Sequence, residues 1–249
     1  MKIKILLLIS YILLLGCSSI IPKLISFEDL PTPSGKYSVG TQIFNWTDST
    51  RYEWFTEQNI TDQRKLVIQI WYPTNVDSKE KYPYIDNPGK RLGPLSEQVE
   101  LPEFMIRHIQ GIRTNSSLNV PIHPDIGSLP VILFSHGLGG MKAQNTAQVE
   151  ELVSHGYFVI APDHPFDANI TIFDDGTVAD YRSGITFLQA KRGKGAELTE
   201  KDFWDFRLPQ INTRTADIRY LLDELESRQR SGKMPWAKID LNRVGVFGH

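Results

Sequence analysis

With 249 residues, 41% of them hydrophobic and 22% charged, the chain is long and apolar enough to bury one sizeable core, and its composition is not that of a disordered protein. Its 27 Lys and Arg nearly balance 29 Asp and Glu, so a formal charge of -2 gives no electrostatic case for nucleic acid or for a strongly acidic partner. Neither an internal repeat nor a low-complexity tract interrupts it.

The first segment reads as an address. Lys2 and Lys4 make a basic start, Ile5 to Leu15 is an almost wholly apolar run, and Leu14-Leu15-Gly16-Cys17 follows. About eleven apolar residues fall well short of the ~20 that cross a bilayer, so the pattern predicts a secretory signal over residues 1–16. Its ending resembles the lipobox of bacterial lipoproteins. That resemblance implies that Cys17 is the lipidation site, that residues 17–30 are a tether, and that the protein is exported and held on a membrane of the cell envelope. Cys17 is the one cysteine in the sequence, which excludes an intrachain disulfide, a cysteine zinc cluster and a thiol nucleophile in the domain body. Sequons at Asn45, Asn59, Asn115 and Asn169 are coincidental in such a setting.

The folded domain is predicted over 31–249. Tyr37, Val39, Thr41 and Ile43 alternate with polar residues and glycine, and Lys65 to Tyr72 is a β-rich run stopped by Pro73. These predict two opening antiparallel strands. From Tyr82 to Leu129 the chain is rich in proline, glycine and polar residues, and reads as a surface loop or lid with one amphipathic piece near Phe104 to Ile112. Beyond it, Val131 to Ser135 is a continuous apolar strand, and Ala143 to His155 a helix with Val149, Leu152 and Val153 on one face. Tyr157 to Ala161 is a second buried strand, so strand, helix and strand make a parallel βαβ unit. A further helix is predicted from about Asn212 to Arg230, burying Ile218, Leu221, Leu222 and Leu225 and stopped by Gly232 and Pro235. The buried strand Arg243 to Gly248 follows.

Chemistry concentrates at two turns. Between the first strand of the βαβ unit and its helix lies His136-Gly137-Leu138-Gly139-Gly140, an HG-x-G-G loop. Acyl transfer requires backbone N–H groups around a developing oxyanion, and glycines let the main chain approach the substrate closely. Gly248-His249 reads as the first half of a G-x-S-x-G elbow, whose small residues allow the sharp turn that exposes a nucleophilic serine. On this reading the serine is the residue after His249. A plain glycine turn and a phosphate cradle compete for the first loop. However, no G-x-x-x-x-G-K-[ST] or G-x-G-x-x-G occurs, and the order of loop and elbow is that of an α/β-hydrolase.

Four stretches carry a resemblance to a known family. They are Ile70-Trp71-Tyr72-Pro73, Pro130 to Gly140, Ser154 to Ala161 leading into Asp163-His164, and Ile239 to Val244 entering Gly248-His249. Over about Leu66 to His249 the chain resembles the platelet-activating factor acetylhydrolases of the plasma and intracellular type II class and their bacterial relatives. The resemblance implies the N-terminal portion of an α/β-hydrolase fold, a mostly parallel sheet with helices on both faces and antiparallel opening strands. It also implies that the Leu138 N–H is an oxyanion donor, supported by His136, Gly137, Gly139, Gly140, Gly248 and His249, and that the acid and base of the triad follow on later strands.

The expected activity is hydrolysis of a carboxylic ester through a serine acyl-enzyme, with short-acyl phospholipid as the implied substrate class. The alternatives are a broader carboxylesterase of polyester or dienelactone hydrolase type, and a catalytically dead, surface-anchored binding lipoprotein. No metal, cofactor or nucleic-acid partner is expected, since six histidines lack ligand spacing. His136 is assigned a structural role in the loop. His123 near Asp125 and the Asp163-His164 pair are not expected as triad members; Asp163 and His164 line a pocket or bond to a loop, and Phe203, Trp204 and Phe206 are expected to pack against the core, with a lipid surface or an acyl pocket as the alternative.

Overall fold

The computed structural model describes residues 29–56, 59, 61–193 and 197–249. The predicted signal, Cys17 and most of the tether lie outside them. Two compact units divide the chain, one whose described part is 29–31 and 83–114, the other 32–82 with 115–249. The predicted candidate site residues from His136 to His249 all belong to the second.

Strand β1 (Ser38–Tyr52) pairs antiparallel with β2 (Gln63–Thr74), as the alternation of Tyr37 to Ile43 predicts. Strand β2 runs through Pro73 instead of stopping before it. The β2 pairing with β5 (Phe158–Asp163) ends at Trp71 opposite Val159, so the missing proline N–H costs that ladder nothing. Short β3 (Ser116–Leu118) lies parallel to β1, β4 (Leu129–Ser135) is parallel to both β5 and β8 (Ile239–Gly248), and the sheet order is β3-β1-β2-β5-β4-β8. A separate hairpin joins β6 (Ile170–Ile172) and β7 (Val178–Asp180).

Side-chain alternation along the strands divides the core between two faces. Leu66, Ile68, Ile70 and Tyr72 of β2, Val131 and Leu133 of β4, and Phe158 and Ile160 of β5 share one face with Leu221, Leu225 and Trp236. Trp71, Phe134, Val159 and Ala161 point to the other, where they meet Val149 and Val153. Helix α3 (Thr146–Ser154) therefore covers one face and α5 (Glu200–Arg230) the opposite one. This is the mixed, mostly parallel, helix-covered sheet of an α/β-hydrolase.

Helix α5 starts at Glu200, well before the predicted Asn212. A capping box sets its start: the Thr199 hydroxyl accepts from the Asp202 N–H at 3.2 Å, and the Asp202 carboxylate accepts from the Thr199 N–H at 3.1 Å. The helix continues through Pro209, whose missing N–H is offset by burial of Phe206 and Gln210 on either side. Preceding it is α4 (Ile185–Arg192).

In the first unit, the stretch read as loop forms α1 (Pro88–Gln98) and the single turn α2 (Glu103–Ile106), extended by a 3-10 turn over Arg107–Gly111. Proline at the first position of α1 is compatible with a helix start, but Gly89, Gly93 and Pro94 mask the rest. Among the described residues no helix is long and apolar enough to cross a membrane.

Candidate active site

Three parallel strand ends converge, as ligand sites of open α/β sheets require. Ser135 at the end of β4 sits opposite Gly248 at the end of β8, and the His249 N–H reaches the Ser135 carbonyl at 3.2 Å. A Cβ on Gly248 would lie 2.8 Å from that carbonyl, so only glycine lets the two strand ends close up. Pairing of β4 with β8 thus brings the HG-x-G-G loop together with Gly248 and His249, while β5 adds Asp163 and His164 beside β4.

The loop is held by its own polar groups. Gly139 has φ 73, a left-handed conformation that favours glycine, and its N–H donates to the Asp167 carbonyl at 2.8 Å. The Gly140 N–H donates to the Gly137 carbonyl at 2.9 Å, and the Gly137 N–H to Gln144 Oε1 at 3.3 Å. Between these engaged amides, the Leu138 N–H has no partner among the described residues, and Leu138 is 43% exposed.

His136 is wholly buried. Its Nδ1 lies 2.7 Å from the Gly137 carbonyl, and its Nε2 accepts the His164 N–H at 3.0 Å. A carbonyl can only accept and an N–H only donate, so the ring is the neutral tautomer protonated at Nδ1. Burial, aided by His164, pushes its pKa down to about 3. Asp163 accepts the Lys142 N–H at 2.6 Å and lies 3.3 Å from Lys142 Nζ, which ties the turn before α3 to the end of β5.

His164 is wholly buried, with Nε2 3.1 Å from Ser135 Oγ and Nδ1 2.8 Å from Asp217 Oδ2. Burial would raise the Asp217 carboxyl, but Arg64 beside it, together with the His164 hydrogen bond, holds it well below the usual range. Burial lowers the His164 pKa against the pull of Asp217. His123 lies elsewhere, edge-on to Tyr37 and accepting the Asp125 N–H at 3.3 Å. Of the aromatic trio, Phe206 packs against Trp54, Phe55 and Phe187, while Trp204 is 45% exposed. No group of three or more His, Cys, Asp or Glu among the described residues could hold a metal ion.

Sequence reasoning missed Ser135, Arg64, Arg214 and Asp217. One signal was available: Gln210, Arg214 and Asp217 share the helical stripe of Leu221 and Leu225, and polar residues on a buried stripe demand partners.

The family model for platelet-activating factor acetylhydrolase, isoform II, matches residues 25–242. The chain belongs to that family. It is similar to the platelet-activating factor acetylhydrolase of Canis lupus familiaris, at 26% identity over 54% of this chain and 28% of the relative. It is also similar to a probable 1-alkyl-2-acetylglycerophosphocholine esterase of Arthroderma benhamiae, at 27% identity over 60% of this chain and 40% of the relative. This member of the isoform II family therefore spans less than half the length of either. Among solved structures, a ferulic acid esterase from Streptomyces cinnamoneus superposes with a TM-score of 0.62 at 24% identity, covering 89% of this chain and 55% of that one. That likeness establishes the shared fold.

Proposed function

We propose that this chain carries the oxyanion half of a serine-dependent carboxylic ester hydrolase acting on short-acyl phospholipids of the platelet-activating factor type. The observation that carries the reading is the Leu138 N–H, without a partner among the described residues and flanked by engaged amides at the C-terminal end of a parallel strand. Tethered neighbours hold such an amide still, and a donor that needs no reorganisation stabilises a tetrahedral oxyanion most. On this reading the residue after His249 is the nucleophile and its N–H the second donor. Family membership and the names of the relatives support the substrate class. A broader carboxylesterase shares the same loop and elbow, and a panel of acyl esters of increasing length beside 1-alkyl-2-acetylglycerophosphocholine separates the two. A non-nucleophilic residue after His249 would instead favour a surface-anchored binding lipoprotein. We further propose export and lipid attachment at Cys17, for which the Leu14 to Cys17 sequence is the support. Metabolic labelling with a radioactive fatty acid that persists in Cys17→Ser would refute it.

The decisive test of the site uses protein extending beyond His249. Leu138→Pro deletes the proposed donor and is expected to lower kcat by ~10²-fold or more, whereas Leu138→Ala keeps the amide and changes it far less. Circular dichroism and thermal melting must match wild type before rates are compared. Near-normal turnover in a folded Leu138→Pro variant would remove the oxyanion assignment.

A further inference from the structure

Behind the loop runs a hydrogen-bonded chain that the reading above does not use. Ser135 Oγ lies 3.1 Å from His164 Nε2, and His164 Nδ1 lies 2.8 Å from Asp217 Oδ2. Asp217 is gripped by Arg64 through Nε at 3.1 Å and Nη2 at 2.7 Å, and by Arg51 Nη2 at 3.0 Å. Arg64 Nη1 continues to Glu53 Oε2 at 2.5 Å. At the other end, Arg214 Nη2 donates to Ser135 Oγ at 3.1 Å and to the His136 carbonyl.

The donor and acceptor inventory places every proton. An ionised Asp217 only accepts, so His164 carries its proton on Nδ1 and its Nε2 is an acceptor. Ser135 must then donate to His164, and Arg214, which only donates, fills a remaining lone pair of Oγ. Donation thus runs from serine to imidazole to carboxylate, the order used to activate a nucleophile. Two features oppose that use here. His164 and Asp217 are wholly buried, and the Arg214 guanidinium occupies a lone pair of Oγ. What the network does touch is the backbone of the loop. Arg214 holds the His136 carbonyl, the His164 N–H holds the His136 ring, and that ring holds the Gly137 carbonyl.

We propose that Ser135, His164 and Asp217 form a positioning relay that fixes where the Leu138 amide points. The relay rests on the esterase reading, and its residues act through the loop without touching substrate. Misplacing a catalytic group by ~1 Å can cost ~10²-fold, and an oxyanion donor is used more strongly in the transition state than in the ground state. Loss of the relay is therefore read in kcat and not in KM.

The test uses protein extending beyond His249, assayed on a short-acyl ester. Ser135→Ala is expected to lower kcat roughly 10-fold with KM within about two-fold, and Ser135→Thr, which keeps the hydroxyl, to restore most of it. A Ser135→Ala variant that is less heat-stable but has wild-type kcat per folded molecule would show that the chain only holds the fold together, overturning the proposal while leaving the esterase reading intact. Absence of ester hydrolysis in the wild-type protein would instead remove both. Two readouts do not depend on the variants folding. Peptide mapping after treatment with a serine-directed phosphonate should find no adduct on Ser135, and an adduct there would make it a nucleophile. Nitrogen-15 NMR of the wild-type chain at pH 7 should show His164 protonated at Nδ1 alone, and a proton on Nε2 would break the relay.

Discussion

Along α5 the residues at 210, 214, 217, 221 and 225 lie on one face, yet the two halves of that face have opposite chemistry. Leu221 and Leu225 are wholly buried among the apolar side chains of β2, β4 and β5. Gln210, Arg214 and Asp217 are bonded instead to Asp167, Ser135, His164 and Arg64. The apolar half is held by non-directional burial, which tolerates a change of shape at constant volume. The polar half is held by directional bonds between buried and partly buried groups, where removing one partner strands another. One rigid helix thereby couples the core to the loop that carries Leu138.

The largest expected effect lies in the polar half. Asp217→Ala leaves the buried Arg64 with Glu53 as its remaining carboxylate and His164 without an acceptor, and is expected to cost about 3–5 kcal/mol in urea unfolding. Leu225→Ala leaves a cavity and should cost a similar ~2–5 kcal/mol. The two halves separate under gentler substitutions. Leu225→Met should cost under ~1.5 kcal/mol, but Asp217→Asn, nearly isosteric, still removes the charge facing Arg64 and should cost more. Equal losses for those two variants would erase the distinction between the halves.

Acid should act on the polar half next. Both His136 and His164 have depressed pKa values in the fold, His136 to about 3. The unfolded chain binds protons near pH 6.5 while the folded chain does not, so stability is complete above about pH 7 and declines as pH falls. The slope approaches about 1.4 kcal/mol per pH unit for His136, and His164 adds to it in the same direction. Asp217 adds a second decline at lower pH, because a depressed carboxyl contributes fully above about pH 4 and loses its contribution as pH drops through its folded value. Urea midpoints measured from pH 7.5 to 4.5 should fall steadily, and His136→Gln should flatten part of that fall. A flat profile would contradict the buried neutral tautomers.

The smallest effect is expected on the solvent side of the same helix. Trp204 is half exposed, so Trp204→Ala should shift stability by less than ~0.5 kcal/mol. A loss of 2 kcal/mol would mean that this face, too, is packed.

Period-2 and period-3.6 patterns were legible wherever burial is one-sided or complete. The βαβ unit from Leu129 to Asp163 and the apolar half of α5 could be read from Val131, Val149, Val159, Leu221 and Leu225 alone. The ends of elements were less legible, because they depend on competing local terms. Proline hid the first half of α5 and the last residues of β2, and glycine with proline hid α1. At Pro73 the inferred stop is one that pairing of β2 with β1 overrules. The Thr199 and Asp202 capping box was a usable signal for the true start of α5.

Local sequence by itself determined the element types of the βαβ unit, the glycine loop from His136 to Gly140 and its order before Gly248, since these depend on residues close together in the chain. Tertiary structure alone decided which loop amides are engaged and which side chains bond to the loop. Ser135, His164, Asp217 and Arg64 come from β4, the end of β5, α5 and β2. No local pattern records a partner that far away. Only the packing of β4 against β5 and of α5 across the sheet brings their donors and acceptors within reach in a largely buried place.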